Sequence, residues 1–86
     1  MATVVITAEA LEQYQSLPLR IKDRVTNLFE RLQSWPNVSG AKPLRGRLAG
    51  HYRVRTGDYR VQFHVRGDTV LVKKIGHRGG FYNEKR

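Results

Sequence analysis

Arginine, histidine and tyrosine, which together can catalyse phosphodiester chemistry, follow one another near the end of the chain as His77, Arg78 and Tyr82. Histidine titrates near neutral pH, tyrosine can accept a proton beside cations, and arginine stabilises developing negative charge. Such proton transfer and charge stabilisation need no metal ion. The structural alternative is that Gly79-Gly80 forms a turn and the Tyr82 ring packs on a sheet edge.

A second group of cations lies on two strand-like runs whose polar residues alternate with apolar ones. One polar row contains His51, Arg53 and Arg55, and the other contains Arg60, Gln62 and His64. A hairpin would bring both rows onto one face of a sheet. Such a face could be an ordinary solvated surface. Two observations favour phosphate binding instead: neighbouring like charges destabilise a sheet when no acid separates them, and the arginine fork binds phosphate through two hydrogen bonds.

Other kinds of catalytic site are poorly supported. The three histidines have no paired spacing, the chain has no cysteine, and no carboxylate cluster is available for Mg²⁺. No serine lies in a triad-like context, and neither GxGxxG nor a P-loop pattern occurs. We therefore predict neither a metal site nor a cofactor.

Net charge indicates the kind of partner. The 86 residues include 16 Lys and Arg but only 7 Asp and Glu, for a net charge of +9. Residues 1–41 hold four basic and four acidic residues, whereas residues 42–86 hold twelve basic and three acidic ones. A positive field confined to one half of the chain suits a polyanion, either nucleic acid or an acidic protein.

Length and composition indicate a single domain spanning residues 1–86. Hydrophobic residues make up 40% of the chain and charged residues 27%, which is ordinary for a globular protein. The apolar runs are too short for a membrane span or a signal peptide. With no cysteine present, we expect a cytoplasmic protein without a membrane partner.

The N-terminal half is predicted to form a strand and two helices. The β-branched run Thr3–Thr7 indicates a strand, and Thr7 can cap a helix that continues to Leu17. Pro18 is expected as the first residue of a second helix. That helix carries one apolar stripe, formed by Ile21, Val25, Leu28, Phe29 and Leu32. A polar loop is expected from Pro36 to Pro43.

The C-terminal half changes to a period of two. His51–Arg55, Tyr59–Val65 and Val70–Ile75 are strand-like, and short glycine-containing turns connect them. We therefore predict an α+β fold, with the N-terminal strand and the helical hairpin packed on one face of a three- to four-stranded antiparallel sheet.

Residues Lys42–Tyr82 resemble the RelE branch of the RelE/ParE toxin superfamily. The resemblance depends on YRVRTGDYRV within the segment Leu44–Val61 and on the closing GHRGGFY of Gly76–Tyr82. It extends over nearly the whole chain, because the preceding helical hairpin also fits. It implies a compact toxin of a type II toxin–antitoxin system.

The resemblance also implies an activity and partners. RelE-like toxins are metal-independent endoribonucleases, called mRNA interferases, and many cleave mRNA in the ribosomal A site, where 16S and 23S rRNA surround it. The ribose 2′-OH attacks the neighbouring phosphate and leaves a 2′,3′-cyclic phosphate and a 5′-OH. An acidic antitoxin is the expected protein partner.

Site residues are carried over to matching positions as hypotheses. Arg55 and Arg60 would hold the scissile phosphate. Tyr82 or His77 would remove the 2′-OH proton, and Arg78 or His77 would assist the leaving oxygen. The candidate RNA-binding residues are Arg45, Arg47, Arg53, His64, Lys73 and Lys74. Two alternatives stay open: a ParE-like inhibitor of DNA gyrase without nuclease activity, and a non-catalytic or decayed RNA-binding toxin.

Overall fold

The computed structural model describes residues 1–46 and 50–77, in which two helices cover one face of a five-stranded sheet. In chain order the elements are β1 (Thr3–Ile6), α1 (Ala8–Gln15), α2 (Leu19–Leu32), β2 (Lys42–Pro43), β3 (His51–Thr56), β4 (Tyr59–Arg66) and β5 (Thr69–His77). The strand order is β1-β5-β4-β3-β2. The predicted α+β fold is thereby confirmed.

The boundaries of both helices follow from their caps. The Thr7 hydroxyl accepts a hydrogen bond from the Ala10 amide at 3.1 Å, as expected for an N-cap. The first helix ends at Gln15, two residues before the predicted end. Pro18 lies just outside α2 rather than in its first turn, because its ψ of 149° is extended. Its carbonyl accepts the first bond of that helix, from the Lys22 amide at 2.8 Å.

The core lies between α2 and the sheet. Val25, Leu28 and Leu32 of the predicted stripe are buried, and the sheet residues buried with them are Val54, Val61, Phe63, Val70, Val72 and Ile75. At one end the Trp35 ring meets Phe63 edge-on, with 5.3 Å between the ring centroids. The apolar residues of β3 and β4 thus face the helices, as the alternation predicts. Their polar neighbours form the opposite side of the sheet, which we call the outer face.

The sheet is wider than predicted at one edge and is parallel rather than antiparallel at the other. The N-terminal strand joins as expected, but it pairs in parallel with β5, with Val4 opposite Val70 and Ile6 opposite Val72. At the other edge Lys42 and Pro43 pair with β3, so the polar loop predicted up to Pro43 ends earlier. Proline is compatible with this place because an edge strand need not donate every backbone hydrogen bond.

One irregularity interrupts the pairing of β4 with β5. Gln62 lies opposite Lys74, but the next residue, Phe63, lies opposite Val72, so Lys73 is an extra residue on β5. Because of this β-bulge, Lys73 and Lys74 both lie between Val72 and Ile75, whose side chains are buried.

No helix within the described ranges is long and apolar enough to cross a membrane.

Candidate functional site

Four cationic side chains line one cleft on the outer face of the sheet. The cleft has a volume of about 510 Å³, and its lining residues are Gly40, Lys42, Arg53, Arg55, Gly57 and Arg60. Among the described residues, no carboxylate contributes to this lining. We call it the arginine cleft, and its composition suits an anion with several negative charges.

Strand register brings these cations together. Arg55 of β3 lies directly opposite Arg60 of β4, and Lys42 of β2 lies opposite Arg53. The two-residue turn between β3 and β4 begins with Gly57, whose φ is +63°. A positive φ at the first turn residue alone fits a type II′ hairpin, for which glycine is preferred. The turn therefore fixes the register that makes the arginines converge.

The two central arginines of the cleft differ in exposure. Arg55 is exposed, whereas only 9% of Arg60 is accessible. The β5 partner of Arg60 is Gly76, which has no side chain to occupy the same space. A guanidinium keeps its charge when buried, so the inner part of the cleft is positively charged where water is scarce. Electrostatic interactions with a bound anion are stronger there than in bulk water.

None of the other predicted RNA-binding residues that the structure describes lines this cleft. Lys73 and Lys74 follow each other at the bulge of β5, and Lys73 is the more exposed. Arg45 is exposed in the segment after β2. His64 lies on the outer face but in a second groove, where it stacks on His51. Arg47, Arg78 and Tyr82 lie outside the described residues.

His77 lies on the other side of the sheet. The prediction placed it after the last strand, but β5 continues through His77, and the alternation of the strand continues with it. Gly76 consequently lies opposite Arg60, and His77 lies opposite Tyr59. The His77 and Tyr59 rings meet edge-on with centroids 5.2 Å apart. The sheet thus separates this imidazole from the arginine cleft.

A family model described as "ParE toxin of type II toxin-antitoxin system, parDE" matches residues 4–80. The chain belongs to the RelE/ParE toxin superfamily. It is 35% identical to "Toxin RelG" of Mycobacterium tuberculosis over 83 residues, covering 93% of this toxin and 94% of its relative.

Solved structures agree with this assignment. The toxin superposes on a chain of the toxin–antitoxin complex RelBE2 from Mycobacterium tuberculosis with a TM-score of 0.78 at 32% identity, covering 90% of this chain and 98% of the other. It matches a chain of the RelB-RelE complex from Methanococcus jannaschii with a TM-score of 0.81. The match to the Methanococcus jannaschii chain covers 95% of this chain and 99% of the other at 22% identity, and it shows that the two share a fold.

Two residues of the toxin's outer face were missed as site candidates. Lys42 was assigned to a loop, and only its pairing with Arg53 brings it into the arginine cleft. His51 was placed on the correct face, but its contact with His64 depends on the register across the hairpin. Counting back from the Gly57 turn predicts that register, so the signal for His51 was present in the sequence.

Proposed function

We propose that this toxin is an endoribonuclease that cleaves mRNA. The observation that carries the proposal is the convergence of Lys42, Arg53, Arg55 and Arg60 in one cleft on an open sheet face. Guanidinium groups in this arrangement can bind a phosphate through paired hydrogen bonds. Because the four cations come from three neighbouring strands, the cleft can contact more than one phosphate of an RNA backbone.

Transition-state stabilisation is assigned to Arg55 and Arg60. In the proposed step the ribose 2′-oxygen forms a bond to the adjacent phosphorus, and the bond from phosphorus to the 5′-oxygen breaks. The products are a 2′,3′-cyclic phosphate and a 5′-hydroxyl. The phosphate carries extra negative charge in the transition state, and fixed cations at that point lower the barrier. Lys42 and Arg53 would hold flanking phosphates.

Proton transfer is assigned to residues after β5. Tyr82 would take the 2′-hydroxyl proton, and Arg78 would assist departure of the 5′-oxygen. This proposal is supported by residue type and by the family resemblance. His77 is a weaker candidate because its ring packs against Tyr59 on the helix side. Since these groups supply both proton transfer and charge stabilisation, we expect cleavage to continue in the presence of a chelator.

Two partners are proposed for this toxin. Relatives of this toxin have been solved in toxin–antitoxin complexes, so we infer a cognate antitoxin here also. An acidic antitoxin would complement a chain whose net charge of +9 lies entirely in residues 42–86. The ribosomal A site is the proposed place of cleavage.

A second candidate function is inhibition of DNA gyrase. The observation that favours it is the matching family model, which is named for the ParE toxin. In that case the outer face would bind a protein or DNA and would carry out no RNA cleavage. A supercoiling assay separates the two functions: gyrase inhibition without RNA cleavage would exclude the nuclease.

The decisive experiment maps cleavage sites on an mRNA, with and without ribosomes, for wild type and an Arg55→Ala variant. Arg55 is exposed, so its loss should leave the fold intact. Removal of one transition-state donor is expected to slow cleavage by about 10²–10³-fold. Arg20→Ala is the matched control, because it removes one exposed cation from α2.

The buried arginine gives an independent test. Arg60→Ala is expected to abolish cleavage, with circular dichroism used to verify folding. Equal cleavage by wild type, Arg55→Ala and a folded Arg60→Ala would show that the arginine cleft is not the active site.

A further inference from the structure

A second groove on the outer face is built around a row of four side chains. His51, His64, Leu71 and Val5 lie opposite one another on β3, β4, β5 and β1 in turn. We call them the stacking row. The two imidazole rings stack with their centroids 4.5 Å apart and their planes inclined by 34°. The groove has a volume of about 500 Å³, and its lining is completed by Arg66, Thr69 and Lys73.

The stacking row combines two imidazole rings and two aliphatic side chains with cations at its margin. Both histidines are half-buried, and Val5 is 42% exposed although it is apolar. Arg66 and Lys73 are exposed beside them. Aromatic rings next to cations are what single-stranded nucleic acids bind, because every base has a π-face and every nucleotide has a phosphate.

The electrostatics keep one ring uncharged. Partial burial, together with electrostatic interactions with His51, Arg66 and Lys73, lowers the pKa of His64 below its ordinary value of 6.5. At neutral pH the His64 ring is therefore neutral and presents an aromatic surface. The exposed cations of Arg66 and Lys73 remain for phosphate.

The stacking row is continuous with the arginine cleft. His51 is four residues from Arg55 on β3, and His64 is four residues from Arg60 on β4, a separation of about 13 Å along each strand. Between the two rows lies a third, in which Arg53 is opposite Gln62 and Gln62 is opposite Lys74. A short single strand that leaves the arginine cleft along β3 and β4 would pass this polar row and reach the histidines.

We propose that the stacking row is a base-binding subsite for single-stranded RNA. A nucleobase would pack on His51 and His64, and its phosphate would bind Arg66 or Lys73. This inference rests on the proposed function, since it takes the strand bound in the arginine cleft as its ligand. An acidic peptide is the poorer fit, because carboxylates would use the cations and leave the rings and Val5 uncovered.

The test compares two uncleavable ligands by fluorescence anisotropy. One is a 2′-O-methyl oligoadenosine, and the other is an abasic 2′-O-methyl strand of equal length and charge. Wild type should bind the base-containing strand roughly 5- to 150-fold more tightly, which is the effect of stacking one base. His64→Ala should lose most of this preference, and His64→Phe should keep it.

Controls separate the subsite from charge and from the activity. Arg20→Ala, which removes a cation from the helix layer, should keep the base preference. Equal affinity of wild type for both strands would overturn the inference. The inference would also be overturned if an acidic peptide bound more tightly than RNA and His64→Ala weakened the binding of that peptide alone. Cleavage is measured in parallel: a cleaving toxin without base preference refutes only the subsite, whereas base preference without cleavage refutes only the nuclease.

Discussion

At the scale of single residues, His64 links the outer face to acid stability. Its pKa is lowered by partial burial and by His51, Arg66 and Lys73. Below pH 6.5 the unfolded chain therefore binds a proton that the folded chain resists. The contribution of neutral His64 to the free energy of unfolding is fully present above the pKa of its ring in the unfolded chain. This contribution decreases as the pH falls from that value toward the lower pKa of the ring in the folded chain.

We predict that the free energy of unfolding, measured with urea, decreases between pH 7.5 and pH 5. His64→Gln should reduce this decrease because it removes the titrating group. Arg66→Gln should have an intermediate effect, since it removes only one of the neighbouring charges. An unchanged pH dependence in His64→Gln would contradict the assignment.

At the scale of elements, the two hairpin turns provide a matched pair of glycines. Gly57 and Gly67 each begin a two-residue turn, with φ of +63° and +59°. A residue with a side chain in such a sparsely populated backbone conformation costs about 1–3 kcal/mol. Of these two glycines only Gly57 lines the arginine cleft, and a Cβ added there would lie 3.2 Å from Nη1 of Arg24. A Cβ at Gly67 would meet nothing within 4 Å.

We predict that Gly57→Ala and Gly67→Ala each lower the free energy of unfolding by about 1–3 kcal/mol. Only Gly57→Ala should also slow RNA cleavage, because the register of Arg55 with Arg60 depends on that turn. Urea unfolding and cleavage assays measure the two effects. Equal cleavage rates in both variants would mean that the turn does not position the cleft.

The elements show what could be predicted from sequence. Alternation along 51–55 and 59–65 was enough to place Arg53, Arg55 and Arg60 on one face, because a period of two leaves little freedom once the apolar side is buried. The pairing of Lys42 with Arg53 could not be predicted, since two residues carry no periodic signal. The extra residue Lys73 and the continuation of β5 to His77 depend on the tertiary pairing of β4 with β5. These two features place His77 on the helix side of the sheet.

At the scale of the whole molecule, charge controls association with RNA. The arginine cleft would neutralise the scissile phosphate and two flanking ones, and Arg66 or Lys73 would neutralise a fourth; binding releases the counterions of each. The +9 net charge also steers a polyanion toward the chain before contact.

We predict that the logarithm of the RNA dissociation constant rises with the logarithm of salt concentration with a slope of about 3, from roughly 0.7 for each of the four phosphates on a single strand. Arg53→Ala should reduce the slope by nearly one such contribution, while Arg20→Ala should leave it unchanged. A dissociation constant that does not change with salt would mean that the outer face binds RNA without its phosphates.

The bulge at Lys73 makes the two sides of the sheet unequal in length. Between Val72 and Ile75 the side facing the helices is continuous, while the outer face holds one residue more than regular pairing would allow. Gain or loss of one residue between Val72 and Ile75 therefore changes the outer face that ligands meet. The positions of the buried side chains that face the helices stay the same.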